Sequence, residues 1–151
     1  MSNKAFLDVT NGVTVADAIT PGWGAAGKEM AVATTYTLSV IRTTTLGFLP
    51  LIALPAGAVL TQLDIVHPDL DTGSPALVVD VGISTDPDSI HDGSTAMQAA
   101  GTLALPAASL FTKYDEAVVI GLTVMTNAAT GVASGTIKVL ARFIYDPNGA
   151  V

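Results

Sequence analysis

The residues of this chain best equipped for chemistry are its carboxylates. Asp64, Asp69, Asp71, Asp80, Asp86, Asp88 and Asp92 fall within 29 residues with no Lys or Arg among them. The run Asp86-Pro87-Asp88-Ser89-Ile90-His91-Asp92-Gly93 offers oxygen ligands of the kind that hold Ca²⁺. Its spacing departs from the calcium-loop pattern of alternating acids or amides closed by a distant Glu. Asp beside Pro or Gly also serves turns, by bonding its own backbone. Turn chemistry is the expected use, and Asp86, Asp88 and Asp92 are the candidate ligands if a metal binds.

Other constellations are weaker. His67 and His91 are the only histidines, and they lack the spacing of a two-His metal site. His91 with Asp88 or Asp92 and Ser89 or Ser94 makes a catalytic triad on paper only. Such triads are assembled from separate parts of a fold, often around a Gly-x-Ser-x-Gly nucleophile, which does not occur here. Asp115 and Glu116 are neighbours, so in a strand they point to opposite faces. Aromatics are only 5% of the chain, few for a sugar-stacking glycosidase cleft. Gly22-Trp23-Gly24-Ala25-Ala26-Gly27-Lys28-Glu29 approaches a phosphate-binding loop, but Glu29 stands where a hydroxyl should coordinate Mg²⁺. A strand pattern follows instead of the helix that would face the anion. With no cysteine there is no thiolate nucleophile or ligand. No catalytic residue and no cofactor are expected, and the chain reads as a non-enzyme.

Alternation at every second residue dominates the rest. Between Glu29 and Ile41, Met30, Val32, Tyr36, Leu38 and Val40 share one face, opposite Ala31, Ala33, Thr35, Thr37 and Ser39. Val59, Leu63 and Ile65 share a face, as do Leu77, Val79, Val81 and Ile83, and Val118, Ile120, Leu122 and Val124. The cleanest set is Ile137, Val139, Ala141, Phe143 and Tyr145, with Lys138 and Arg142 pointing away. Weaker strands are expected at Phe6 to Val9, Val13 to Ala18, Leu46 to Ile52 and Thr102 to Leu105. Turn residues punctuate these at Asn11-Gly12, Thr20-Pro21-Gly22, Leu54-Pro55-Ala56-Gly57, Asp71 to Pro75 and Thr130-Gly131. Short helices are the expectation for Asp88 to Gln98 and Pro106 to Thr112.

About eight strands in 151 residues predict a single all-β domain over 1–151, an antiparallel β-sandwich, with a jelly roll as one fitting arrangement. Residues 1–5 and 147–151 read as flexible or arm-like.

The composition says what surrounds the sandwich. Hydrophobic residues make up 50% and charged residues 13%, against about 25% charged in ordinary domains. The missing charge and the apolar excess together predict burial against a protein partner. The net charge of −7 and only six basic residues exclude a phosphate-backbone or anionic-membrane partner. The most apolar run, Leu46 to Leu60, is too short for a bilayer and holds Pro50 and Pro55. It reads as a core strand, or as an edge that packs on a neighbour, since proline favours edges. Trp23, Phe48, Leu49 and Leu51 are the candidate subunit-interface residues.

One resemblance sharpens this. Leu54-Pro55-Ala56-Gly57-Ala58-Val59-Leu60, Leu63-Asp64-Ile65 and Val79-Asp80-Val81-Gly82-Ile83-Ser84-Thr85-Asp86-Pro87-Asp88 resemble a pattern in small virion proteins of tailed bacteriophages. There a proline-small-glycine turn leads into a strand, and a valine-glycine strand ends in an acid- and proline-containing loop. The resemblance implies a capsid decoration, or cement, protein: a structural protein that assembles as a homotrimer on the outer capsid surface and bridges subunits of the major capsid protein. A binding module of a head fibre or tail, recognising a receptor or carbohydrate, is the alternative.

Overall fold

The computed structural model describes residues 27–38, 47–130 and 135–146. Nine strands are found there: β1 (Glu29–Leu38), β2 (Leu49–Leu54), β3 (Ala58–His67), β4 (Val78–Ile83), β5 (Asp86–Ser94), β6 (Gly101–Ala104), β7 (Thr112–Tyr114), β8 (Val118–Thr126) and β9 (Gly135–Tyr145). They form two antiparallel sheets. One runs β1-β9-β3-β6, with β7 also on β3, and the other runs β2-β8-β4-β5. The all-β sandwich expected from the alternation is what the chain builds, with β5 and the three-residue β7 as strands that the alternation did not predict. Single 3-10 turns lie at Ala96–Gln98 and Ala107–Ser109.

The core lies between the sheets and is made by the alternating residues. Ile137, Val139, Ala141 and Phe143 of β9 are buried there, with Val79 and Val81 of β4 and Ile120 and Leu122 of β8. Met30, Val32 and Tyr36 of β1 pack against them from the sheet edge, while Ala31, Ala33, Thr35 and Thr37 are exposed. The partner rows follow from register: Met30 faces Phe143 across β1-β9, and Leu60 faces Phe143 across β3-β9.

Three expectations are corrected. Val59 does not share a face with Leu63 and Ile65. The β3-β9 register shifts between Leu60 and Gln62, so the extra residue Thr61 flips the parity, and Ala58 and Leu60 join Leu63 and Ile65 in the core. Asp88 to Gln98 is not a helix. Most of it is strand β5 on the edge of β4, and only Ala96–Gln98 makes one 3-10 turn. Pro106 to Thr112 is likewise a single 3-10 turn that leads into β7. The expected strands at Phe6 to Val9 and Val13 to Ala18, the turns at Asn11-Gly12 and Thr20 to Gly22, and the arms at 1–5 and 147–151 lie outside the described residues.

Leu54-Pro55-Ala56-Gly57 carries the chain from one sheet to the other. Gly57 adopts φ 82°, a value that favours glycine, and Ala58 N–H closes the turn on Pro55 C=O at 3.2 Å. The turn is stitched to two strand ends: Gly57 N–H donates to Tyr114 C=O, and Asp146 N–H donates to Gly57 C=O. A second glycine pair sits within the β2-β8-β4-β5 sheet. Gly82 and Gly121 face each other across β4-β8. The β5 backbone at Asp86 and Pro87 lies over Gly82, and the Leu49 carbonyl and Phe48 ring lie over Gly121.

Candidate interaction surfaces

The acidic stretch divides into two chemistries. Asp69, Asp71 and Asp80 hold backbone. Asp71 is buried, and its carboxylate accepts Ala76 N–H at 2.6 Å, Leu77 N–H at 2.8 Å and Thr130 N–H at 3.0 Å. Asp69 Oδ1 accepts Asp71 N–H, and Asp80 Oδ1 accepts Gly93 N–H at 2.7 Å, tying β4 to β5. Only the Asp69 bond, two residues along the chain, is the expected turn contact; Asp71 and Asp80 instead tie together more distant segments.

Burial alone would push the Asp71 carboxyl up. The backbone donors of Thr130, Ala76, Leu77 and Ala129 outweigh it and hold the carboxyl down at about 2, against an ordinary 3.8. A depressed acid adds stability that is fully present above its ordinary value and lost as the pH falls through its folded one. Asp71→Asn is therefore expected to melt roughly 5 °C below the parent at pH 7. The gap should shrink as the pH falls from about 4 to about 2. Thermal melts across that range check this, and a gap that stays constant would refute it.

Asp86, Asp88 and Asp92 instead stand exposed on β5. A side-chain hydrogen bond with Asp88 raises the Asp86 carboxyl, helped by partial desolvation and by the Asp88 charge. Among the described residues no three His, Asp or Glu side chains converge as metal ligands, so these three are not gathered into a cation site. The hydroxyls beside them serve backbone. Ser89 Oγ donates to Asp86 C=O at 2.7 Å, and Ser94 Oγ accepts Ala96 N–H. His91 Nδ1 lies 3.3 Å from Asp92 C=O. His67 is buried, with Nδ1 3.1 Å from Pro68 C=O. The paper triad is not assembled.

The interface candidates fall in different places. Trp23 lies outside the described residues. Leu51 has 0% exposure and fills the core, because a bulge between Pro50 and Ile52 turns both Leu51 and Ile52 inward. It therefore has no surface of its own to present. Phe48 and Leu49 are half-buried at the β2 edge, where Leu49 packs on the core. Pro50 sits in that edge strand, as its missing N–H requires.

The sequence reading missed the most exposed aromatic group among the described residues. Phe111 is 65% exposed beside Leu110 at 38%. It is also the only non-glycine residue among the described ones with positive φ, at 62°. That conformation is unfavourable for a bulky side chain by about 1–2 kcal/mol. It is held by Phe111 N–H donating to Leu60 C=O at 2.8 Å, beside the Thr61 bulge, and by Leu110 N–H donating to Ala107 C=O. The pair sits on the connection into β7, which a helix reading of Pro106 to Thr112 concealed. Only the adjacency of Leu and Phe among small and polar residues hinted at it.

No protein-family model matches the chain, and no curated protein matches it. Solved structures do. A chain of the capsid of Ralstonia phage GP4 is 28% identical, with a TM-score of 0.65 over 83% of this chain and 90% of that one. A chain of the cyanophage Pam1 capsid asymmetric unit is 25% identical, with a TM-score of 0.68 over 89% of this chain and 98% of that one. A chain of the acid-stable capsid of Helicobacter pylori bacteriophage KHP30 shares the fold at 13% identity, with a TM-score of 0.52 over 80% of this chain and 94% of that one. The likeness to the first two, in sequence as well as fold, places this chain among the capsid-related structural proteins of the phage virion.

Proposed function

We propose that the chain is a capsid decoration, or cement, protein that sits as a homotrimer on the outer surface of the shell and bridges subunits of the major capsid protein. The observation that carries this reading is the likeness to capsid chains over nearly their whole length, 90% and 98% in the two more similar cases. Those chains are therefore of similar size to this compact sandwich. The sheet orders β1-β9-β3-β6 and β2-β8-β4-β5 support reading the sandwich as a jelly roll, since consecutive strands cross repeatedly between the sheets as a rolled hairpin does. Low charge and apolar excess fit a surface meant to be covered.

Leu110 and Phe111 supply the contact to the shell. A residue kept in a strained conformation with its ring in water gains nothing inside its own fold, and such strain concentrates where a partner is met. A buried aromatic anchor is also the usual centre of an interface. Phe111→Gly relieves the backbone, so the free protein should melt within about 3 °C of the parent. Binding to shells stripped of the protein should weaken by about 10-fold or more, the worth of burying one large apolar side chain. Thermal melts of the free protein check the first point, and co-sedimentation with stripped shells the second. Parent protein that fails to bind shells, or that binds glycans instead, removes the cement reading; unchanged binding by the glycine variant removes the anchor.

A further inference from the structure

The Lys and Arg residues among the described ones gather on one sheet, which also carries Glu29 and Asp64. Lys113, Lys138 and Arg142 lie on strands of the β1-β9-β3-β6 sheet or on β7 beside it, and Lys28 directly precedes β1. Together these four are all the described Lys and Arg residues. Lys113 is engaged by Asp146 at 3.3 Å. Lys138 and Arg142 are different. Both are exposed on the outward face of β9, four residues apart, and neither has a carboxylate within ion-pair distance among the described residues. Asp64, in the row between them, takes a hydrogen bond from Gln62 Nε2.

The surface they bracket carries the Asp64 carboxylate and is otherwise small, apolar or hydroxyl-bearing, with exposed Glu29 further along β1 on the same face. Leu140 lies between them on β9, Ala31, Ala33 and Thr35 flank it on β1, and Val66 on β3 is 45% exposed. A sheet face with two cations that no described carboxylate pairs suits a partner that brings carboxylates.

This chain carries such an element. β5 is an edge strand of the other sheet, with Asp86, Asp88 and Asp92 exposed and no Lys or Arg on it. Asp88 and Asp92 are four residues apart, as Lys138 and Arg142 are, but the β4-β5 register shifts on either side of His91, so the β5 carboxylates crowd onto a shorter length of edge. Copies with a net charge of −7 repel one another at long range, so a stable contact between them needs opposite charges aligned at short range.

We propose that the outward face of β9 in one copy receives the acidic β5 edge of the next, in a head-to-tail contact. The two patches differ in composition and lie on different sheets, so the contact is not self-complementary; repeated about an axis, it closes a ring. This rests on the oligomeric reading above and specifies the surfaces that build it.

Sedimentation velocity of the purified full chain tests it, with circular dichroism confirming the fold of each variant. The parent should be an oligomer. Lys138→Glu with Arg142→Glu should weaken association at least 10-fold, and so should Asp86→Lys with Asp88→Lys and Asp92→Lys. Combining all five reversals in one chain should restore the oligomer, because both patches then change sign together. Should the combined variant fail to fold, the parent measured in rising salt decides: the oligomer should dissociate towards about 1 M, where the screening length falls to ~3 Å. A parent oligomer that ignores both reversals and salt overturns the placement of the contact and leaves the trimer reading standing. A monomeric parent overturns both.

Discussion

Phe143→Ala is expected to lower the stability of the folded domain by about 3–5 kcal/mol, read as a fall in the midpoint of urea unfolding. Phe143 has 0% exposure near the end of β9, the strand that sits between β1 and β3. Its cross-strand neighbours are Met30 on one side and Leu60 on the other, and both pack on the same core. Truncation therefore opens a cavity beneath three strands at once, with no exposed surface through which it could collapse. Domains of this kind are stable by roughly 5–15 kcal/mol, so one such change removes a large part of the total. A loss below about 1 kcal/mol would mean that the ring does not fill the space between the sheets.

The second large effect lies in the backbone. Gly82→Ala is expected to cost about 3 kcal/mol, the upper part of the range for overpacking. A Cβ on Gly82 would run into the Asp86 carbonyl oxygen and the Pro87 carbonyl group, closer than real Cβ atoms come. These are main-chain atoms, so no rotamer can clear the space. β5 would have to lift from β4, breaking the long hydrogen bond from Ile83 N–H to Ser89 Oγ. The control is Ser84→Ala at the exposed tip of the same hairpin, expected to stay within about 0.5 kcal/mol of the parent. Equal effects from the two variants in thermal melts would show that the close approach over Gly82 carries no stability.

Where alternation is unbroken, the sequence is enough to assign faces. β9 shows this best: Lys138 and Arg142 point outward between Ile137, Val139, Ala141 and Phe143, because a residue that cannot leave water sets the parity of its whole strand. β3 defeats the same reading. The bulge at Thr61 has no compositional mark, yet it reverses every side chain upstream of it, and Val59 ends on the other face from Leu63. β5 is harder still. Asp86 to Ser94 is mostly polar, with Pro, Gly and three Asp residues, and its intrinsic strand preference is poor. It becomes a strand because β4 offers it an open ladder, a tertiary effect that no local pattern contains.

The surfaces were legible only in part. Charge deficit and apolar excess announce a covered surface, but not its place. Leu51 drew notice because it lies in the most apolar segment, which is also why it is buried in the core. Phe111 escaped notice because its exposure depends on a positive φ that Leu60 C=O enforces from another part of the chain. Both errors have one source: hydrophobicity in a sequence marks what tends to leave water, and the fold decides which neighbour removes it.

The pairing of β1 with β9 also sets the direction in which the domain is mechanically weak. Gly27 N–H donates to Tyr145 C=O, so the start of the first strand lies beside the end of the last. Tension applied through the chain at these two points peels the ladder open one rung at a time, like a zipper. The same tension along the strand axes would have to shear every rung together. The domain therefore resists a pull along its strands far better than one that parts Gly27 from Tyr145.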